Sequence, residues 1–148
     1  MIDVRFPEPA FRLKKENGVE LIFDPIRKQW LVLNDEEWVR QNFIQYLVQT
    51  LRYPAAFIAV EKEITLNELK KRFDALIYDC DHKPWMLVEC KGQNVKLEDP
   101  ALLQVLRYNI SIPVSFLIIT NGRYTVGWQK VGVELRLIDQ MPVWGFAL

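Results

Sequence analysis

The chain has 148 residues, half of them hydrophobic, and its 19 basic and 19 acidic side chains cancel to zero net charge. This composition excludes a disordered chain, argues against a polycation that coats nucleic acid, and offers no apolar run long enough to span a membrane. Its length suits a single domain over residues 1–148 with a substantial core, and its two cysteines give no disulfide framework, so a cytoplasmic protein is expected.

The first third reads as strands. Phe11 and Leu13 alternate with polar residues, Asn17-Gly18 is a strong two-residue hairpin turn, and Val19, Leu21 and Phe23 alternate again. Asp24-Pro25 marks another turn, and Trp30 to Leu33 reads as a third short strand. Residues 1–33 thus form a β-hairpin extension ahead of a core at 34–130.

Asn34 is a good helix cap, with Glu37 three residues on in a box-like pattern, and the helix runs through Val39, Phe43, Tyr46 and Leu47 until Pro54 ends it. Strands are predicted at Ala56 to Ile64, Arg72 to Asp79 and Trp85 to Lys91. Asp99-Pro100 opens a second helix, with proline in its first position and Leu102, Leu103, Leu106 and Ile110 on its apolar face. Val114 to Thr120 has the near-continuous hydrophobicity of a strand buried on both faces. Asn121-Gly122 turns the chain into Arg123 to Gln129, and Val133, Leu135 and Leu137 suggest a last strand. The order is α/β, with a mixed central sheet flanked by two main helices.

Within this order, the strands holding Asp74 and Glu89 flank the polar stretch Cys80 to Lys83. An antiparallel hairpin turning at Asp81-His82 sets Asp74 opposite Glu89, with Cβ atoms about 5 Å apart. Glu89 and Lys91 share a strand face, so the hairpin gathers two carboxylates and an ammonium. Close carboxylates repel, and a divalent cation relieves them; hard oxygen donors favour Mg²⁺ or Mn²⁺. Lys91 can stabilise anionic charge beside them. This is the equipment of phosphodiester hydrolysis. The competing reading is an ordinary cross-strand ion pair on a solvated face.

Placed in this element order, Asp74 and Glu89-Cys90-Lys91 resemble the PD-(D/E)xK nuclease superfamily and its restriction-endonuclease-like core. Further segments, Asn34 to Gln41, Ala59 to Glu63 and Thr120-Asn121-Gly122, are similar to the N-terminal domain of type I restriction enzyme R subunits. The resemblance implies a DNA nuclease in which Asp74, Glu89 and the Cys90 carbonyl hold Mg²⁺ and Lys91 is the catalytic lysine. Its departure is Phe73, which stands where proline precedes the acid in the family pattern.

An added acidic ligand from the first helix is also implied. At about 100° per residue, with Val39 at zero, Glu36 lies at about 60° on the inward stripe and Glu37 at about 160°, off it. Glu36 is therefore the expected ligand and Glu37 the capping residue. Gln104 and Tyr108, one turn apart, match a pair in the recombination-nuclease branch that meets the site or the DNA backbone. Lys71 and Arg72 could meet phosphate, or guard a strand edge. Asp79, Asp81 and His82 read as turn and surface residues, and Glu61 and Glu63 receive no role. The resemblance further implies a restriction or helicase subunit as partner and allows a homodimer. A non-catalytic accessory or DNA-binding module with the same fold is the alternative.

Overall fold

The computed structural model describes residues 1–66, 69–98 and 113–145. Three strands come first: β1 (Leu13–Glu16), β2 (Val19–Asp24) and β3 (Gln29–Val32) form an antiparallel sheet in the order β1-β2-β3. The turn between β1 and β2 is the expected Asn17-Gly18, at φ 52° and 80°. Two successive positive φ values match the strands' right-handed twist, which is why this dipeptide closes the hairpin.

Helix α1 (Asp35–Gln45) follows, continued by a wider turn over Tyr46–Thr50 and a short 3₁₀ turn at Ala55–Phe57. Asn34 caps it, its side-chain oxygen accepting the Glu37 N–H at 2.8 Å. The remaining strands are β4 (Ile58–Leu66), β5 (Leu69–Tyr78), β6 (Pro84–Cys90), β7 (Phe116–Thr120), β8 (Thr125–Val131) and β9 (Glu134–Ile138). They form one six-stranded sheet in chain order, antiparallel except for β6 and β7, which run parallel. The protein is therefore mixed α/β. The second expected helix, from Asp99-Pro100, lies outside the described residues, as do Gln104 and Tyr108. Among the described residues no helix is long and apolar enough to cross a membrane.

The β5–β6 register is the one the sequence dictates. Ala75 pairs with Val88, Leu76 with Leu87 and Ile77 with Met86, so Asp74 and Glu89 stand next in line. Asp79 Oδ1 accepts the N–H groups of Asp81 and Lys83, and His82 takes φ 60° at the tip. A register shift after Ile77 absorbs the odd residue of the turn.

Apolar side chains fill both faces of the central strands. One cluster joins Val39 and Phe43 of α1, and Leu47 of the turn that continues it, to Ala75, Ile77, Met86, Val88, Phe116 and Ile118. The other gathers Phe73, Leu76, Leu87, Val114 and Leu117. The N-terminal segment closes over α1 and over the sheet at β8, within the same cluster. Phe6 packs edge-on against Phe43 and Tyr46, Phe11 against Trp38, and Ile2 bridges to Thr125 of β8. Gly127 leaves room for Ile2 and Ile118; a Cβ there would come within 2.8 Å of both side chains.

Candidate functional site

Gly122 lets α1 sit close over the end of β7: a Cβ there would stand 3.2 Å from Val39 Cγ2. Gly122 also needs its φ of +88° to turn β7 into β8. Asn121 ties that turn to the loop after β6: Oδ1 accepts the N–H groups of Arg123 and Tyr124, and Nδ2 donates to the Val95 carbonyl at 2.7 Å. The Thr120-Asn121-Gly122 segment singled out in the sequence thus positions the site. A cavity of about 860 Å³, lined by Gln93, Lys96, Asn121, Arg123, Tyr124 and Trp128 among others, opens beside this turn.

Asp74 and Glu89 are both buried, each only 9% exposed. Asp74 Oδ2 accepts the Cys90 N–H at 2.9 Å, which draws the carboxylate onto the Glu89–Cys90 peptide. Lys91 follows, half-buried, its own N–H donating to the Thr120 carbonyl at 2.9 Å. Burial is the main cause that raises the Cys90 thiol well above its ordinary range, with Asp74 adding to it, so Cys90 stays a neutral thiol.

The other Asp74 oxygen belongs to Arg40, a residue outside the acid and lysine motif. Arg40 Nε and Nη2 both donate to Asp74 Oδ1, at 3.1 and 2.8 Å. Arg40 Nη1 donates to Glu37 Oε1 at 3.0 Å and to Glu61 Oε1 at 2.9 Å. Burial pulls the guanidinium pKa down, but Asp74, Glu37 and Glu61 together more than offset it, and the net direction is up. Arg40 lies at about 100° on the helical wheel, beside Leu47 at about 80°. A charged residue inside an apolar stripe was the signal for a buried ion pair, and its spacing from Glu36 and Glu37 suited one.

Glu37, not Glu36, is the inward acid. The Glu37 side chain is 9% exposed and that of Glu36 is 47% exposed, its Oε1 3.8 Å from Arg40 Nη2. A wheel with one apolar stripe presumes one covered face, whereas α1 from Val39 to Gln45 is buried all round, between the large sheet and the N-terminal segment. The Glu37 carboxylate leaves the capping to Asn34 and instead accepts from Arg40 and from Gln41 Nε2 at 3.2 Å. Burial, the largest influence, raises its pKa against the pull of Arg40, Gln41 and Arg27.

Arg27 comes from the turn between β2 and β3. Its Nε pairs with the fully buried Asp24, its Nη1 lies 3.3 Å from Glu61 Oε2 and its Nη2 lies 3.6 Å from Glu37 Oε1. Glu61 reaches these arginines by an unusual backbone. Its φ is +53° in mid-strand, and the β4–β5 register skips from Val60–Ala75 to Lys62–Phe73, leaving Glu61 and Asp74 unpaired in the ladder. A left-handed non-glycine residue costs on the order of 1–3 kcal/mol and persists where its surroundings over-determine it. Here three arginines do, since Arg72 Nη1 also lies 3.6 Å from Glu61 Oε2. Arg72 is otherwise exposed; the Lys71 side chain lies outside the described residues.

Among the described residues no three His, Cys, Asp or Glu side chains converge closely enough to hold a metal ion. The donor set of Asp74, Glu89 and the Cys90 carbonyl is all hard oxygen and fits Mg²⁺ or Mn²⁺ in chemistry. In this arrangement, however, Asp74 Oδ1 carries the Arg40 guanidinium. Lys91 enters none of the ion pairs that engage the three arginines.

A family model described as type I restriction enzyme R protein N terminus (HSDR_N) matches residues 35–142. The match begins at the first residue of α1 and excludes the three-stranded sheet. No curated protein matches the chain.

Proposed function

The chain belongs to the family of type I restriction enzyme R protein N-terminal domains, and from that premise we propose that it is a Mg²⁺-dependent nuclease with a restriction-endonuclease-like core. It acts on the phosphodiester bonds of DNA within a restriction or defence system, alongside a helicase or specificity subunit. One observation carries this reading: the β5–β6 register, with the Cys90 N–H bonded to Asp74, gathers Asp74, the Glu89–Cys90 peptide and Lys91 at the end of one strand pair.

Asp74, Glu89 and the Cys90 carbonyl would hold the cation. When bound, the cation supplies Lewis-acid stabilisation of charge developing on phosphorus. Lys91 orients the attacking water and donates to the phosphoryl oxygen that gains charge. Burial of both carboxylates excludes bulk water and strengthens each of these interactions. Arg72, Gln104 and Tyr108 meet the DNA backbone.

A plasmid-nicking assay in Mg²⁺ and Mn²⁺, run beside calorimetric titration of each ion, tests this. Binding and nicking are both expected in the wild type and absent from Asp74→Ala/Glu89→Ala. A wild type that cleaves neither single-stranded DNA, double-stranded DNA nor RNA sinks the reading. The Arg40 guanidinium on Asp74 favours a second one, a nuclease-fold accessory module without catalysis. That module would co-purify with a helicase or specificity subunit equally well as wild type and as Asp74→Ala.

A further inference from the structure

We propose that Arg40 is the resident counter-cation of Asp74, that a divalent ion must displace it from Asp74 Oδ1, and that Glu37 and Glu61 receive it when it leaves. The inference rests on the nuclease reading and names what sets the metal affinity of that site.

Three observations carry it. Two guanidinium nitrogens converge on the one Asp74 oxygen that the Cys90 N–H leaves open. That oxygen cannot serve a cation and a guanidinium together, because like charges exclude each other at contact distance. Next, the third nitrogen, Nη1, already bonds Glu37 Oε1 and Glu61 Oε1. Arg40 can therefore release Asp74 without becoming an unpaired buried charge, which would otherwise forbid the move. Last, Glu61 holds a left-handed backbone in the middle of β4, opposite Asp74, where an ordinary extended residue would keep the ladder intact. That conformation sets its carboxylate where Arg40, Arg27 and Arg72 meet it, so the receiving side is built into the backbone.

Arg40 thus acts as a positioning residue. With no metal present it neutralises Asp74 and keeps the middle of β5 against α1. With metal it moves toward Glu37 and Glu61. The competition makes the site a weak binder of metal alone, tightened by any ligand that draws Arg40 away, and the phosphate of a bound nucleic acid is such a ligand.

The test is calorimetric titration of Mn²⁺ into the full chain. Arg40→Gln is expected to bind Mn²⁺ about tenfold more tightly than wild type, since it removes the competing charge. Arg136→Gln makes the same charge change on β9, at an exposed side chain paired with Glu134 and apart from Asp74 and Glu61, and is expected to stay within about threefold of wild type. Arg40→Gln should melt lower than wild type without metal and gain more on adding Mn²⁺, as linkage requires of a tighter site. A folded Arg40→Gln that binds Mn²⁺ no more tightly than wild type overturns the inference, and so does an equal gain in Arg136→Gln. Should Arg40→Gln not fold, Glu61→Gln carries the test. Loss of that receiving carboxylate should weaken Mn²⁺ binding about threefold or more relative to Glu63→Gln, an equal charge change farther along β4; equal affinities overturn the inference. If neither wild type nor Arg40→Gln binds Mn²⁺, the metal reading of the site fails and takes this inference with it. Binding that is unaffected by Arg40 sinks the inference alone.

Discussion

In the six-stranded sheet, β6 and β7 are buried along nearly their whole length, with apolar clusters on both faces. The three-stranded sheet is the opposite case: β1 is exposed throughout, and β2 is buried only at Ile22 and Asp24. Its outer face is covered by its own side chains, with Arg12 over the Phe23 and Trp30 rings at 4.7 and 5.3 Å and Lys14 over Trp30 at 4.2 Å. One sheet is stabilised by shared burial and the other by local stacking and one polar anchor. A site that needs rigid placement belongs at the end of the first, and the second can only brace it from outside through Arg27.

The contrast breaks most visibly in stability. Phe116→Ala, at a fully buried ring of β7, should cost about 3–5 kcal/mol in urea unfolding. Trp30→Ala in the small sheet should cost about 1 kcal/mol, the scale of an aromatic pair with a surface cation–π contact. Equal costs would mean that the small sheet is as much core as the large one. Arg27→Ala comes next. It deprives the buried Asp24 of its charged partner, and a loss of about 1–3 kcal/mol is expected by the same assay. A loss near zero would show that the brace is ornamental.

The smallest effect is a slope with pH. The Glu37 pKa is raised in the fold from its ordinary 4.5, chiefly by burial. The folded protein therefore binds that proton more tightly than the unfolded chain does. The stability this gives is fully present below the unfolded value and is lost as pH rises through the raised one. Against wild type, the melting temperature of Glu37→Gln should climb over that window, whatever the difference at its acid end. A falling difference would reverse the assignment and mean that Arg40 outweighs burial at Glu37.

How much of this was legible in the sequence follows the same division. The β5–β6 register was readable because Ala75, Ile77, Met86 and Val88 leave few ways to bury one face, and Asp79 fixes the turn between them. Asn17-Gly18 gave the first hairpin for the equally local reason of backbone handedness. The polar cluster was not readable in the same way. Its members come from the β2–β3 turn, α1, β4 and β5, and what joins Arg27 to Glu61 is tertiary packing without sequence period. The Glu36 expectation failed because a wheel cannot know that a helix has two covered sides. Arg40 was visible in its stripe, yet a lone charge on a wheel announces a partner without naming it. The left-handed turn at Glu61 leaves no mark in composition at all.

The bridge from Ile2 to Thr125 sets an order of events. On the ribosome the first residues emerge long before β8 is made, so this contact cannot form until most of the chain has been synthesised. Until then the surface that Ile2 covers, beside Gly127 and Ile118, stays open. The N-terminal segment therefore docks late, as the clasp on a sheet already built. Long-range closure of this kind is slow compared with the hairpins on either side of it, so protease protection of residues 1–6 should be the last to appear on refolding.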